Sequence, residues 1–310
     1  MAVIPRYTWD GLPVAPDEPH GAAIVVRRGC PAEYLLLHRA HRGAGCEGDW
    51  AWTPPSGSRQ PGEPVLAAAL RELREETGLA AAAADLRVLD LRGPWAQFGL
   101  DVPSGGRPRL DAEHDRFAWL PAAAAMARCR PDAVAAGIKL ADSALAAETA
   151  FRPLAAADLP ALVGWQQAPH AVRWFPERLD LAAAKRKYGP RIAGQSPVRV
   201  HVAVVGGRDA GFLQHYPVGP DEVGIDYAIG VPEFTGRGLG PQLIWGYVRD
   251  IVLAAQPAVR HVVARPDVAN NRSIRALHKA GFAPSGVVDY PGEPGPEQLC
   301  VLDVVKFFGK

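Results

Sequence analysis

The sequence predicts an α/β (α+β) protein of two domains, each with a mixed sheet and flanking helices, and three observations lead to this. The chain has 310 residues, which is long for one domain and comfortable for two. Apolar residues make up 48% of it, enough for two cores. Strand-like and helix-like runs alternate, pass into an alanine-rich stretch, and start again at Phe151. We therefore place the boundary near Ala147, between domains 1–147 and 148–310.

The first half contains apolar runs that are typical of strands. Two of them, Gly21 to Arg28 and Glu33 to Ala40, flank a Gly-Cys-Pro turn and predict a hairpin. A helix is expected over the acidic run that follows Gly57. Further strands and a helix are expected at 85–93, at 95–103, at 116–121 and from Ala122 onwards.

The second half begins with a short strand at Phe151 and a helix that reaches Trp165. Three strands are then expected, at 198–207, 210–216 and 223–230. A glycine-rich turn and an amphipathic helix follow over 234–252, and a further helix is expected within 265–282.

Composition and charge exclude several classes of protein. The formal net charge of +1 gives no electrostatic case for binding nucleic acid or a membrane. The cysteines Cys30, Cys46, Cys129 and Cys300 are scattered, which is typical of reduced thiols in a cytoplasmic protein. The first residues lack the pattern of a signal peptide, and no apolar run has the length of a membrane helix.

The acidic helix is the most informative stretch. Glu72, Glu75 and Glu76 fall at i, i+3 and i+4, so they share one helix face and repel one another. Such crowding makes sense around a hard divalent cation, because these ions take oxygen ligands. An apolar stripe on the opposite face predicts that this other side packs on a core. That stripe consists of Leu66, Leu70 and Leu73.

The same stretch resembles the Nudix hydrolases. Their signature G-x(5)-E-x(7)-R-E-U-x-E-E-x-G-U, with U aliphatic, is met at every specified position from Gly57 to Leu79. The resemblance implies an α/β/α sandwich and hydrolysis of nucleoside diphosphates linked to another group. It also implies that Glu72, Glu75 and Glu76 bind Mg²⁺ or Mn²⁺, with Glu75 and Glu76 catalytic. Arg71 would orient them and meet the substrate.

Two flanking segments narrow this resemblance. Asp49 to Gly57 and Ala112 to Leu120 are similar to the diadenosine tetraphosphate hydrolase branch, although Ser56 replaces a lysine common there. By that likeness Glu113 is a further metal ligand or base. Two tryptophans, Trp52 and Trp119, are left open between stacking on a nucleotide base and ordinary burial.

A second motif lies in the C-terminal half. Gly236, Arg237, Gly238, Leu239 and Gly240 follow a strand and open a helix. Glycines let the backbone approach a phosphate, and the amides of a helix start point towards it. Alone, such a turn is a weak signal, and a plain strand–helix connection is the default reading.

Together with the segment 265–282, this turn resembles the GNAT acetyltransferases. The resemblance implies acetyl-CoA as cofactor, with its pyrophosphate on the backbone of Gly236 to Gly240 and its pantetheine arm against Asn270. Thr235 departs from the usual Gln or Arg, and Leu277 stands where the family has a tyrosine that protonates the departing thiolate. The acid is therefore left open between water and Tyr227.

Within that superfamily the segments 169–175, 211–216, 224–230 and 278–282 look most like aminoglycoside 6'-N-acetyltransferases and siderophore-type acyltransferases. Asp226 is the candidate base, because a mid-strand charge is costly unless it faces a wet pocket or a partner. A solvent-facing position is the equal alternative. The residues assigned to the acceptor are Trp174 and Tyr216 as walls and Asp221 and Glu222 as attractors of a polycation.

The favoured hypothesis is a bifunctional cytoplasmic enzyme that hydrolyses a nucleotide pyrophosphate and acetylates an amine, with antibiotic resistance as the outcome for an aminoglycoside. In one alternative only the transferase is active and the Nudix unit senses a ligand or adds stability. In another, the GNAT-like half only binds a CoA species. The partners expected are small molecules, and a homodimer is left open.

Overall fold

A computed structural model describes residues 6–8, 11–144, 146–289 and 295–310. They form two compact units. Unit 1 comprises the residues up to Ala144 together with Val305–Gly309. Unit 2 comprises the residues between Ala144 and Val305, together with Lys310. Each unit holds a mixed sheet with helices, so the predicted fold class is confirmed.

The elements of unit 1 match most of the predicted runs. Its strands are β1 Arg6–Tyr7, β2 Pro13–Val14, β3 Gly21–Arg28, β4 Glu33–Arg39, β5 Trp52–Thr53, β6 Ser56–Ser58, β7 Arg87–Asp90, β8 Trp95–Val102 and β9 His114–Pro121. Its helices are α1 Val65–Thr77, α2 Ala122–Arg128 and α3 Asp132–Ser143.

The sheet of unit 1 has the order β5-β4-β3-β8-β7, with β6 also paired to β3 and β9 to β4. The strands β3 and β8 are parallel and the other pairs are antiparallel. Because β6 pairs with the first residues of β3, with Gly57 opposite Ala22, the loop before α1 is held against the centre of the sheet.

Helix α1 ends where the signature glycine requires it. Gly78 adopts φ 67°, the left-handed conformation that favours glycine, and its N–H bonds Arg74 O at 2.9 Å. The buried face of the helix differs from the prediction. Leu66 and Leu73 are buried as expected, but so are Glu72 and Glu76, while Leu70 is only half-buried. Two of the three acids therefore lie on the packed side.

Unit 2 follows the predicted order of strands and helices. Its strands are β10 Thr149–Pro153, β11 Arg199–Val205, β12 Arg208–Pro217, β13 Glu222–Ile229, β14 His261–Ala264, β15 Ala283–Val288 and β16 Glu297–Asp303. Its helices are α4 Leu159–Gln167, α5 Leu181–Ile192, α6 Leu239–Tyr247, α7 Leu253–Ala255 and α8 Asn271–Lys279, and α9 Val304–Phe308 begins at its last residue.

The sheet of unit 2 opens in the middle. Its order is β10-β11-β12-β13-β14-β16-β15, and only β13 and β14 are parallel. These two strands pair from Glu222 to Gly224 and no further, although β13 continues to Ile229. The last five residues of β13 therefore border an opening in the sheet.

The core of unit 2 contains two histidines that share one phenol. His201 Nδ1 and His215 Nδ1 lie 3.0 and 2.8 Å from Tyr247 Oη, and the two imidazole rings stack at 5.9 Å. His215 is 2% exposed. Burial above all, with help from His201 and Arg199, lowers its pKa to about 4.

We expect unit 2 to lose stability as the pH falls from about 6.5 to about 4. In the unfolded chain His215 takes up a proton near its ordinary pKa, whereas the folded chain keeps it neutral down to a pKa of about 4. The unfolded state then binds more protons, which costs folding up to about 3 kcal/mol. Thermal midpoints against pH should give a flatter profile for His215→Gln, and equal slopes in both proteins would contradict this.

All four cysteines are free thiols. Among the described residues, every helix is too short or too polar to cross a membrane.

Candidate active sites

The first site lies where α1 meets the loop before it. The Glu72 carboxylate rests directly on the backbone of Gly57, and a Cβ there would overlap it. The Glu76 carboxylate accepts the Ser56 N–H at 2.7 Å, and its other oxygen lies 3.8 Å from His114 Nε2. His114 is itself held by Asp111, 2.9 Å from Nδ1. The loop and the helix thus bring two buried acids together.

The electrostatics of these acids are unfavourable for their charged forms. Burial raises the pKa of the Glu72 carboxyl to about 7; Arg71 opposes this, and Glu75 and Glu113 add to it. Burial, followed by the charge of Glu72, raises the pKa of Glu76 well above its ordinary value. Glu113, predicted from a segment distant in sequence, therefore does lie near the helix acids.

Arg71 is the cation at the centre of this cluster. It contacts both oxygens of Glu63, at 2.8 and 2.9 Å, and Ser58 O at 3.0 Å. It also donates to Glu72 at 2.7 Å and to Glu75 at 3.0 Å. These five contacts use all five N–H groups of a guanidinium, so its geometry is that of an orienting residue. The predicted contact with substrate has no donor left.

The four predicted metal ligands are neighbours but do not converge. Within the described part of the chain, no three Asp, Glu, His or Cys side chains lie close enough to hold a metal ion. The reason is that Arg71 holds Glu72 and the exposed Glu75, while Ser56 holds Glu76. The donors themselves fit a hard divalent cation, because all of them are carboxylates whose negative charges repel one another.

The two tryptophans beside this site differ in exposure. Trp52 is 2% exposed, donates to Glu47 at 2.8 Å and is covered by Arg128 at 4.3 Å, so it is a core residue. Trp119 is half-buried, and the Arg28 guanidinium lies 4.2 Å from its ring centroid. Ordinary burial, the second alternative, therefore describes Trp52.

The second site borders the opening in the sheet of unit 2. The turn after β13 carries Gly236 and Gly238, which are exposed and have φ 73° and 72°. Gly238 is the N-cap of α6, whose first amides lack partners within the helix. Gly240 lies against α8, where a Cβ would stand 3.1 Å from Ala276. Thr235, which departs from the family pattern, bonds Pro232 O at 2.8 Å within its own turn.

The predicted pantetheine contact, Asn270, caps α8. Its Oδ1 accepts the Ser273 N–H at 3.2 Å, so the amide nitrogen remains as the group that can donate to a ligand. Leu277, one turn further along, is fully buried. Tyr227 crosses from β13 to the same helix, with its Oη 2.6 Å from Ser273 Oγ.

Asp226 lies two residues beyond the last pair of β13 and β14, and it is exposed. Its Oδ2 accepts from Gln214 Nε2 at 2.7 Å, and Gln214 Oε1 accepts from Arg191 Nη1 at 2.8 Å. The Tyr216 hydroxyl is 3.4 Å from Asp226 Oδ1, and its ring covers Gly224. Asp226 is thus both solvent-facing and partnered, a combination of the two readings the sequence left open.

The other predicted acceptor residues belong to other segments of unit 2. Glu222 starts β13 and Asp221 directly precedes it, four or five residues before Asp226, which is roughly 15 Å along a strand. The Asp221 carbonyl accepts the Arg260 N–H at 2.8 Å. Trp174 lies in a short turn, 172–174, with the Arg173 guanidinium 4.2 Å from its ring.

Sequence reasoning missed several residues at these sites. Gln214 lies two residues before Tyr216 on β12. Because every second residue of a strand points to the same face, the sequence could have shown that Gln214 shares a face with Tyr216. Arg191, His114 and Ser273 carry no such signal, because they reach their partners from elements distant in sequence.

Comparisons with known proteins identify both domains. A family model described as a NUDIX domain matches residues 18–138, and one described as an acetyltransferase (GNAT) domain matches residues 155–290. The aminoglycoside N(6')-acetyltransferase type 1 of Klebsiella pneumoniae is 30% identical over 152 residues, covering 44% of this chain and 75% of that protein. The chain belongs to the GNAT acetyltransferases. Its GNAT domain follows a Nudix domain, and both are enzyme domains.

The Nudix domain has a different relative from that of the GNAT domain. The 8-oxo-dGDP phosphatase NUDT18 of Homo sapiens is 38% identical over 95 residues, which cover 29% of this chain and 28% of that protein. Among solved structures, an aminoglycoside acetyltransferase in complex with coenzyme A is 28% identical, with a TM-score of 0.46, over 50% of this chain and 95% of that one.

Proposed function

We propose that the GNAT domain transfers an acetyl group from acetyl-CoA, its donor substrate, to the nitrogen of an amine. The observation that supports this most is the opening between β13 and β14, with Asp226 at its edge and the glycine turn after its end. The turn Gly236–Gly240 would hold the pyrophosphate of the donor through its amides, with Arg237 as the nearby cation. Asn270 would bind the pantetheine arm.

Asp226 would take the proton of the attacking amine. An ammonium has no lone pair, so the amine must lose a proton before or during attack on the thioester carbonyl. Gln214 and Tyr216 donate towards the Asp226 carboxylate and orient it. Tyr216, and Trp174 from its turn, would wall the acceptor.

Aminoglycosides are the acceptors we propose first, because the relatives from Klebsiella pneumoniae and Serratia marcescens carry that name. Acetylation of such a drug would give antibiotic resistance. The acidic pair Asp221 and Glu222 would attract the polycation. A hydroxylated lysine, the acceptor expected of a siderophore-type enzyme, is the second outcome that the screen described below can give.

We infer that the Nudix domain hydrolyses a nucleoside diphosphate linked to another group. The supporting observation is the pair of buried acids, Glu72 and Glu76, pressed together around the loop at Gly57. These acids, with Glu75 and Glu113, would hold Mg²⁺ or Mn²⁺. When bound, such an ion neutralises a pyrophosphate and lowers the pKa of a bound water. Arg71 keeps the carboxylates in place.

One observation favours a second candidate for this domain. Because the carboxylates of the described residues do not converge on one point, a domain that binds a nucleotide without cleaving it is the alternative. Hydrolysis measured with and without Mg²⁺ separates the two.

The test of the proposed function is one screen with two arms. The first arm offers labelled acetyl-CoA with aminoglycosides, hydroxylated lysine and peptide amines as acceptors. The second offers diadenosine tetraphosphate, 8-oxo-dGDP and other nucleotides with Mg²⁺, Mn²⁺ or chelator. We expect product in both arms, with the second arm silent under chelator. Product in the first arm alone would leave the Nudix domain as a sensing or stabilising unit.

Gly238→Asp should weaken acetyl-CoA binding. Asp tolerates a positive φ better than most side chains, so the turn keeps its shape, but a negative charge then faces the pyrophosphate. We expect calorimetry to give a dissociation constant raised by about tenfold or more, a change of 1.4 kcal/mol or more. The matched Gly238→Asn variant has the same shape without the charge and should lose much less. Equal affinity in all three proteins would contradict the assignment of the turn.

A further inference from the structure

The phenol of Tyr227 reaches from the opened part of β13 to helix α8. Strands β13 and β14 separate after Gly224, and Tyr227 lies three residues beyond, roughly 10 Å along the strand. Its Oη is 2.6 Å from Ser273 Oγ and 3.1 Å from Ser273 O on α8. The hydroxyl therefore lies at the border between the opened strand and the helix.

Ser273 is the third residue of α8, and its N–H is capped by Asn270. The first turn of a helix carries a partial positive charge, which stabilises negative charge nearby. A phenol at this position can release its proton more easily than one in a purely apolar place. The Ser273 hydroxyl can turn to donate to the phenolate that remains.

The helix offers no proton donor at the next position on that face. Leu277 is one turn beyond Ser273, on the same side of α8, and it is fully buried and apolar. The phenol that reaches this face comes instead from β13. Because neighbouring residues of a strand point to opposite faces, Tyr227 and Asp226 flank the opening from its two sides.

We propose that Tyr227 is the general acid of acetyl transfer and gives its phenol proton to the sulfur of coenzyme A. This assignment rests on the proposed acetyltransferase function. It is consistent with the burial of the hydroxyl, which raises the pKa of Tyr227 and keeps the phenol protonated before the reaction.

The acetyl transfer makes one C–N bond and breaks one C–S bond. The amine lone pair forms the new C–N bond at the acetyl carbonyl, and the nitrogen loses a proton to Asp226. The C–S bond breaks, its electron pair moves to sulfur, and sulfur takes the proton from Tyr227. The products are the amide and the free thiol of coenzyme A. Solvent then carries the proton from Asp226 to the phenolate, which restores both residues.

Tyr227→Phe tests the assignment in the full chain, with kanamycin as the first acceptor and acetyl-CoA as donor. Since general acid catalysis typically contributes at least 100-fold, we expect kcat to fall by about 100-fold. The dissociation constant of acetyl-CoA, measured by calorimetry, should change by less than about twofold, because the phenol acts on the leaving sulfur and not on binding. Tyr188→Phe removes another buried phenol, one that accepts from Gln166, and should leave kcat unchanged.

Two further variants keep the test sharp. The double variant Tyr227→Phe/Leu277→Tyr returns a phenol to the same helix face, one turn from Ser273, and should recover at least about tenfold of the lost kcat. Ser273→Ala keeps the phenol but removes its hydroxyl partner, and kcat should fall by about tenfold. It serves as the test if Tyr227→Phe does not fold.

The outcomes separate the assignment from the function beneath it. A Tyr227→Phe protein with wild-type kcat, or one that loses acetyl-CoA binding and kcat equally, overturns the assignment alone. No recovery in the double variant, with acetyl-CoA binding intact, also counts against it. A wild-type chain that acetylates no amine of the screen refutes the acetyltransferase proposal, and the role of Tyr227 falls with it.

Discussion

Glu76→Gln should abolish Mg²⁺-dependent hydrolysis of a nucleotide pyrophosphate and leave acetyl transfer at its wild-type rate. Glutamine has the same shape and can still accept the Ser56 N–H, so the loop–helix contact is retained. The substitution removes the carboxylate beside Glu72 and the negative charge that it can offer to a metal ion. Loss of such a ligand removes the charge stabilisation that phosphoryl chemistry depends on, and we expect a fall in kcat of about 1,000-fold or more.

The same variant should be more stable than the wild type when no metal is present. Burial and the charge of Glu72 raise the pKa of Glu76 well above its ordinary value, so the folded chain holds a proton that the unfolded chain releases at neutral pH. That difference costs folding free energy, and glutamine does not incur it. Calorimetric unfolding in chelator should therefore give a higher Tm for Glu76→Gln, with the gap closing at low pH.

The control is Glu33→Gln, which removes a carboxylate of the same domain that pairs with Arg28. It should keep full hydrolysis. Unchanged hydrolysis in Glu76→Gln would reject Glu76 as a metal ligand. A lower Tm would contradict the stability prediction, and a loss of hydrolysis with it would come from loss of the fold.

The sequence could predict this site because its signature residues are tied to backbone geometry. Gly57 has to be glycine because the Glu72 carboxylate lies against it, and Gly78 has to be glycine because it ends α1 with a positive φ. Spacing in the chain reports such constraints directly. Glu113 could be predicted only through the family resemblance, since it lies in the turn directly before another strand, β9.

The burial of the acids could not be predicted in the same way. Helical periodicity places charged residues outward by default, because an unpaired buried charge is costly. Glu72 and Glu76 lie on the packed side, and no pattern within α1 marks them apart from the exposed Glu75. The full use of the Arg71 donors could not be predicted either, because three of its five contacts, one with Ser58 and two with Glu63, come from the loop before the helix.

In the GNAT domain the sequence predicted the strand that carries Asp226 but not the residues that contact its carboxylate. A charge in the middle of an apolar run indicated a pocket or a partner, and the structure has Gln214 as that partner. Arg191, which holds Gln214 in turn, ends a helix more than twenty residues earlier. Such long-range contacts depend on how α5 packs on the sheet, and single-sequence patterns do not carry that packing.

Asp226→Asn should reduce amine acetylation far more than it weakens acetyl-CoA binding. Asparagine fills the same space and its oxygen can still accept from Gln214, but the amide has no basicity with which to take the amine proton. We expect kcat to fall by about 100-fold, the lower end of what general base catalysis contributes. The acetyl-CoA dissociation constant should stay within about twofold, since the donor would be held by the glycine turn and Asn270.

The thermal midpoint of Asp226→Asn should show whether the fall in kcat comes from lost catalysis or from a damaged fold. Asp226 is exposed, so its neutralisation should leave the thermal midpoint nearly unchanged. The matched control is Asp209→Asn, an exposed carboxylate on the neighbouring strand β12 that pairs with Arg152, and it should keep full kcat. If Asp226→Asn loses acetyl-CoA binding and turnover in equal measure, the residue supports the fold. If it loses neither, another group or water removes the proton, and the solvent-facing reading of Asp226 is the correct one.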